Sequence, residues 1–433
     1  MCFATAEDVR NNFDPFKFIP RCKQSHNEIC ELIQSTSNET TKSELQTNYG
    51  IIEQSCLSKL DDFDVTKQLP HDIMHVLLEG VVPYELQLCL SALMDQKLFT
   101  LEEFNYNLSN FEFSYSDAKS KPEPLKKSVF ITGERKLKYS AENARVFLKI
   151  VLFLLDNFVS KDDVFFKLIA DLSKIVTILF SPVLSRGTIG YVQTLIAEHC
   201  HDFKQLFPDQ HPIPKHHYLL EVPSLIEMFG PPIRYSYMRF EALHKVFKRF
   251  TSVANFNNIC LSLSTRYAKY IAQEQQTLLK TKEDGPAQPI SEADTQIYTA
   301  SYPQFNFSNC RLYSLNWIKS YGSKYIAGKC FLAMDANCEN HLPIFGKLEK
   351  IIRCEKTLLL ATIFLTECFS DSFNSYIVTP TQEKRMYCLE YLLDFNVYQI
   401  IKNLAGEILI PVKYDLSDII EEHLLKSNPL HVN

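Results

Sequence analysis

The sequence predicts an α+β chain that is mainly helical and closes on a small, mostly β domain. Three observations predict this. Apolar residues recur at helical spacing through most of residues 70–207. A stretch at 281–297, with Gly285, Pro286 and Pro289, reads as a linker. Beyond it, the runs Tyr325–Leu332, Leu358–Phe364 and Ser375–Val378 are rich in the aromatic and β-branched residues that suit strands.

Residues 1–66 are polar and irregular, with a helix expected at His26–Ser35 and a Ser/Thr/Asn-rich loop from Ser35 to Ser43. Pro70, just before Asp72, suits a helix start, and Ile73, Val76, Leu77 and Val81 follow at helical spacing. Pro83 begins a further turn or helix to about Leu93. Residues 100–140 are mixed and charged, and Lys119–Lys138 reads as a lysine-rich loop. Long helices are expected at Ala141–Asn157, Lys161–Leu184 and Ile189–Phe207. Pro208, Pro212 and Pro214 then precede a short apolar run, His217–Val222. Pro231 and Pro232 mark a loop before a helix at 238–250, and Asn255–Gln275 reads as one more helix. The domains expected are 69–207, 208–280 and 298–415, with a tail at 416–433.

Composition narrows the function. A chain of 433 residues needs two or three domains. With 46% hydrophobic and 22% charged residues it is a folded protein rather than a disordered one. The net charge of -6 counts mildly against nucleic-acid binding, but binding needs a local basic patch rather than a global excess. Gly is scarce, at 11, and no phosphate-cradling Gly motif is present, so no nucleotide cofactor is expected. The 13 Cys have no framework spacing, which fits reduced thiols inside the cell. The opening Met-Cys-Phe-Ala-Thr-Ala-Glu-Asp turns polar too soon for a signal peptide. The longest apolar run, Val146–Leu155, is too short to cross a bilayer, so no membrane partner is expected.

Three constellations carry chemistry. On the helix at 238–250, Phe240, Leu243, Phe247 and Phe250 form an apolar stripe. Glu241, His244, Lys245 and Lys248 share another face, with Arg234, Arg239 and Arg249 nearby. A carboxylate there can hold Mg²⁺ or Mn²⁺ while the cations hold phosphates. The plainer reading is a surface helix with a Glu–Lys pair. In Leu-Pro-His-Asp-Ile-Met-His-Val-Leu-Leu-Glu-Gly, residues 69–80, Asp72, His75 and Glu79 project to one side, as a metal site or an Asp-oriented imidazole would require. The plainer reading makes Asp72 a helix cap and His75 a local hydrogen-bond partner. In the third, the histidines of the run from His211 through His216 and His217 to Glu221 could supply zinc ligands together with distant Cys. The plainer reading makes His216 and His217 the start of a strand.

Taken in order, four strings resemble animal transposase-like proteins of the CACTA (EnSpm) class. They are Leu-Pro-His-Asp-Ile-Met-His-Val-Leu-Leu-Glu-Gly-Val-Val-Pro-Tyr-Glu, Pro-Lys-His-His-Tyr-Leu-Leu, Phe-Gly-Pro-Pro-Ile-Arg-Tyr-Ser-Tyr-Met-Arg-Phe-Glu-Ala-Leu-His and Asn-Phe-Asn-Asn-Ile-Cys. The resemblance runs from Cys2 to about Val378 and is most specific at 69–85 and 215–260. It implies an RNase H-like core, here partial, with 70–207 as a large helical insertion and 1–68 as the remnant of the zinc-bearing region that leads into it. It implies two-metal phosphodiester cleavage and strand transfer by two Asp and one Glu. Glu241 would be that Glu, and Asp72 and His75 the Asp-x-x-His string of the insertion. Arg239, His244, Lys245, Lys248 and Arg249 would contact DNA.

The departures shape the expectation. The family's Cys-x-x-Cys precedes an Ala-Thr like Ala4-Thr5, so Cys2 would be its second cysteine, with the first and both Asp upstream of Met1. Where the family shows a second zinc-binding His, Glu221 follows His216 and His217. The zinc set would therefore be Cys2, His216, His217 and Glu221, absent or weak. The expectation is a nuclear, transposase-derived protein that binds DNA without cleaving it, partnered by DNA and by a second copy of itself. The alternatives are an active transposase with further upstream exons and a domesticated scaffold for protein partners.

Overall fold

The computed structural model describes residues 21–131, 136–251, 258–278, 283–305, 307 and 310–427. Helices come first and strands last, as an α+β chain with a helical N-terminal region and a C-terminal antiparallel, curled sheet. The chain divides into two compact units. Unit 1 holds the described residues up to Asn105, Pro122–Leu148 and Val159–Ser236. Unit 2 holds Tyr106–Lys121, Lys149–Phe158 and the described residues from Tyr237 onward.

The first helices are α1 (Lys23–Ser35), α2 (Glu39–Tyr49), a π-helix (Met74–Val81), α3 (Val82–Asp95), α4 (Leu101–Asn110), α5 (Ser128–Ile131), α6 (Ala141–Leu155), α7 (Val164–Leu179), α8 (Arg186–Leu206) and α9 (Pro214–Phe229). Residues 39–43, expected as loop, instead open α2. The Asn38 side chain accepts from the Thr40 and Thr41 N–H groups, so the polar run caps a helix. The His217–Val222 run lies inside α9, because Pro214 sits where a missing N–H costs nothing at a helix start. In α7 twelve of sixteen residues are buried, and Asp163 caps its first turn. Met74–Asp95 is long and apolar enough to cross a membrane by composition, with an 18-residue stretch at mean hydropathy 1.4, but 78% of that stretch is buried within the protein, as a core helix would be.

The π-helix has a visible cause. Pro83 has no N–H to give the Glu79 carbonyl four residues back. The turn widens, and the Val82 N–H reaches the Leu77 carbonyl, five residues back. The Glu79 carbonyl instead accepts from Lys215 Nζ (3.1 Å) and Lys136 Nζ (3.3 Å). Gly80 leaves room for the Lys215 stem, since a Cβ there would fall 2.2 Å from Lys215 Cδ.

Unit 2 adds α10 (Met238–Thr251), α11 (Ile259–Leu278), α12 (Glu292–Ser301) and α13 (Ser417–Ser427). Its strands are β1 (Glu283–Asp284), β2 (Ala287–Pro289), β3 (Tyr313–Leu315), β4 (Trp317–Ser320), β5 (Ser323–Ile326), β6 (Phe331–Ala336), β7 (Pro343–Arg353), β8 (Thr357–Ser370), β9 (Ser375–Cys388), β10 (Ile401–Lys402) and β11 (Ile408–Pro411). The large sheet runs β10-β11-β9-β8-β7-β3-β2, with β6 also on β7, and β1-β4-β5 form a small sheet. Every pairing is antiparallel. The described residues of 281–297, read from composition as a linker, instead supply two strands and the first part of α12. Gly285 serves close approach there: its N–H bonds the Trp317 carbonyl at 2.8 Å, and a Cβ would lie 2.8 Å from Trp317 Nε1.

The β core is made by alternate residues of long strands. Leu332, Met334, Leu348, Ile351 and Leu359 form one cluster with Tyr325, and Phe345, Tyr376, Val378, Tyr398 and Ile410 form another. Buried Asp394 is satisfied by the hydroxyls of Tyr398 and Tyr414, each at 2.5 Å. Among the described residues of 21–278 there is no strand.

Gly346 tests this packing. A Cβ at this position would stand 2.8 Å from Met334 Cγ and 2.9 Å from Ala361 Cβ. Gly346→Ala should therefore destabilise the protein by about 1–3 kcal/mol, as overpacking does. Equal urea midpoints for variant and parent would contradict the packing.

Candidate functional site

Asp72 and His75 begin the π-helix segment of unit 1. The backbone N–H of His75 donates to Asp72 Oδ2 (3.2 Å), and its Nδ1–H donates to the same oxygen at 2.5 Å. Asp72 is thus both a cap and the group that orients the imidazole. Its side chain is buried, while that of His75 is 41% exposed. Tyr235 lies near it; burial, and then the Asp72 charge, push the phenol up to about 12.

Helix α9 turns its neighbouring histidines to two different carboxylates. His217 Nε2 donates to Glu221 Oε1 (3.3 Å), one helical turn on. His71 donates to the other oxygen at 2.9 Å and stacks on Tyr218 with centroids 4.3 Å apart. Burial alone would raise the Glu221 carboxyl; the bonds from His217 and His71 hold it far below the ordinary range. His216 points the other way, into the core. Its Nδ1 accepts the Ile213 N–H (3.1 Å), which leaves the proton on Nε2 to donate to Glu85 Oε1 at 2.9 Å.

Sequence reasoning missed Glu85, which the structure makes the central charge of unit 1. It is 1% exposed. His199 Nε2 of α8 donates to its second oxygen at 2.8 Å. One carboxylate therefore ties α3, α8 and α9 together. Burial favours its neutral form, yet the two imidazoles outweigh burial and lower its pKa to about 2. For His199, burial disfavours the imidazolium, and Glu85 reverses this, so its pKa is raised. The signal for Glu85 was available: it is the one carboxylate in the apolar run Val81–Leu93, and a charge there must find partners.

Glu241 belongs to unit 2, on α10, and its side chain is exposed. His244, Lys248 and Arg249 of the same helix are exposed too. Arg239 and Lys245 share the helix. The expected apolar stripe is only partly covered. Leu243, Phe247 and Phe250 are half-buried, and Phe240 is 61% exposed. Phe247 packs on Tyr267 of α11 (5.2 Å between centroids), and Arg266 donates to the Phe250 carbonyl at 3.0 Å.

The zinc set proposed from the resemblance is divided by this geometry. His216 is committed to Glu85, His217 and Glu221 bond each other, and Cys2 lies outside the described residues. Among the described residues, no group of three or more His, Cys, Asp or Glu is arranged to hold a metal ion. The twelve described cysteines are free. Comparison with protein-family models, curated proteins and solved structures finds no match for this chain.

The Glu85 network carries a pH dependence with a definite sign. Its carboxyl is depressed from 4.5 to about 2, so its stabilisation is full above pH 4.5 and is lost as pH falls toward 2. His199 is raised from 6.5, so its share is full below pH 6.5 and fades as pH rises through the folded value. Glu85→Gln should cost about 3–5 kcal/mol in urea unfolding at pH 6, and should flatten the loss of stability between pH 4.5 and 2. An unchanged acid profile would contradict the assignment.

Proposed function

We propose that this chain is a transposase-derived, nuclear DNA-binding protein that grips the phosphate backbone through α10. One observation carries the reading. His244, Lys248 and Arg249 are exposed together on a helix with four Lys and Arg and a single carboxylate, in a chain whose net charge is -6. A local cationic face on an acidic protein is what phosphate binding requires. The resemblance to CACTA transposases at 69–85 and 215–260 supports the same reading, and within it Glu241 stands at the family's catalytic Glu and 208–280 descends from an RNase H-like core.

Binding without cleavage is the activity proposed. Two-metal chemistry needs several carboxylates converging on Mg²⁺ or Mn²⁺, and Glu241 brings one. Asp72, His75, His217 and Glu221 are given structural roles, since their polar groups already bond one another.

Duplex DNA should bind at low salt, with affinity falling steeply as salt rises. The Lys245→Ala/Lys248→Ala double variant should bind more weakly to duplexes of any sequence, and the slope of log affinity against log salt should drop by about 2. Undetectable binding of DNA, whether duplex or single-stranded, at 20 mM salt (roughly a 20 Å screening length) would sink the DNA reading. An unaltered slope in the variant would remove α10 from it.

A further inference from the structure

The helical hairpin of α10 and α11 has a second property besides charge. Among its described side chains, none is fully buried. Both helices nevertheless carry many apolar and aromatic groups: Phe240, Leu243, Phe247 and Phe250 on one, Leu261, Leu263, Tyr267 and Tyr270 on the other. At the start of α10, Tyr237 is 51% exposed and Phe240 61%, with their rings perpendicular and centroids 5.9 Å apart. Two large aromatic rings exposed side by side on a basic helix offer apolar area that a partner can cover.

Charge chooses among occupants. The hairpin is basic on both helices: α10 has four Lys and Arg against Glu241, and α11 has Arg266 and Lys269 against Glu274. A second copy would bring like charge onto like charge. A polyanion does not, and among polyanions the rings discriminate. Duplex DNA hides the faces of its bases, so it uses the cations and leaves Tyr237 and Phe240 in water. A single strand offers both phosphates and open base faces, and bases stack on aromatic side chains in any sequence.

The spacing suits this. Phe240, His244 and Lys248 fall at i, i+4 and i+8, one row along the helix. At 1.5 Å per residue the row is about 12 Å long. That matches roughly three or four nucleotides at the ~3.4 Å spacing of a stacked strand.

We propose that the α10–α11 surface binds single-stranded DNA in preference to duplex, with Tyr237 and Phe240 as stacking platforms and Lys248 and Arg249 on the phosphates. The proposal rests on the DNA-binding reading above and sharpens its partner.

The test compares a fluorescent 20-nucleotide single strand with the same sequence as duplex, at equal salt, on the full chain. The single strand should bind at least tenfold more tightly. Phe240→Leu and Tyr237→Leu should each weaken single-strand binding about 5- to 140-fold, the range of one lost stacking contact, and leave duplex affinity within about twofold. Phe240→Trp should retain the single-strand preference. Circular dichroism of each variant checks that the helices persist; exposure of both rings predicts that they do. Equal affinity for the two DNA forms, or no effect of Phe240→Leu on the single strand, overturns this proposal while duplex binding keeps the broader reading. Failure of both DNA forms to bind overturns the two together.

Discussion

The helical unit depends on one buried negative charge. Glu85 sits where water cannot reach it, and a carboxylate in that position is tolerable only with strong donors on both oxygens. His199 and His216 supply them from two other helices. The constraint propagates outward. For His216 to donate from Nε2, its Nδ1 must accept, and the Ile213 N–H at the start of α9 meets it. That fixes where α9 begins. Its next residues then place Lys215 against Gly80 and the Glu79 carbonyl, and His217 against Glu221. The α9 start thus follows from satisfying a buried carboxylate, while the π-helix follows from the missing N–H of Pro83.

This changes the meaning of the histidine-rich motifs. Histidines beside carboxylates invite a metal or catalytic reading, yet His199 and His216 tie three helices to one carboxylate, and His71, His75 and His217 each bond a neighbouring one. The α10–α11 hairpin is the opposite case. Tyr237, Phe240, Lys248 and Arg249 are exposed there, and among the described side chains none is fully buried. Sites that bind a partner are drawn from such surfaces, because groups spent on internal packing cannot also meet a ligand.

Some of this was legible in the sequence. Helices such as 141–155 and 186–206 carry a strong 3.6-residue pattern, and the strands beyond 313 are dense in β-branched and aromatic residues, so both stood out. Other features were not readable. Periodicity cannot separate a π-turn from an α-turn over eight residues, and only the missing N–H of Pro83 hinted at it. His216 and His217 are adjacent in sequence but serve different carboxylates, a division set by tertiary packing. Gly285 and its prolines read as a linker because close approach of Trp317, which explains the glycine, is a long-range contact. The basic face of α10 was visible from spacing alone; the exposure of Phe240 was not, since a stripe of that kind normally packs.

The central claim is that DNA meets the exposed α10–α11 surface while the histidine clusters of the helical unit are structural. Hydrogen–deuterium exchange with and without a saturating single-stranded oligonucleotide tests it most directly. The account predicts slowed exchange in peptides covering 238–251 and 259–273, and unchanged exchange in 71–80 and 214–221. Protection confined to 71–80 and 214–221, with none on α10, would contradict it.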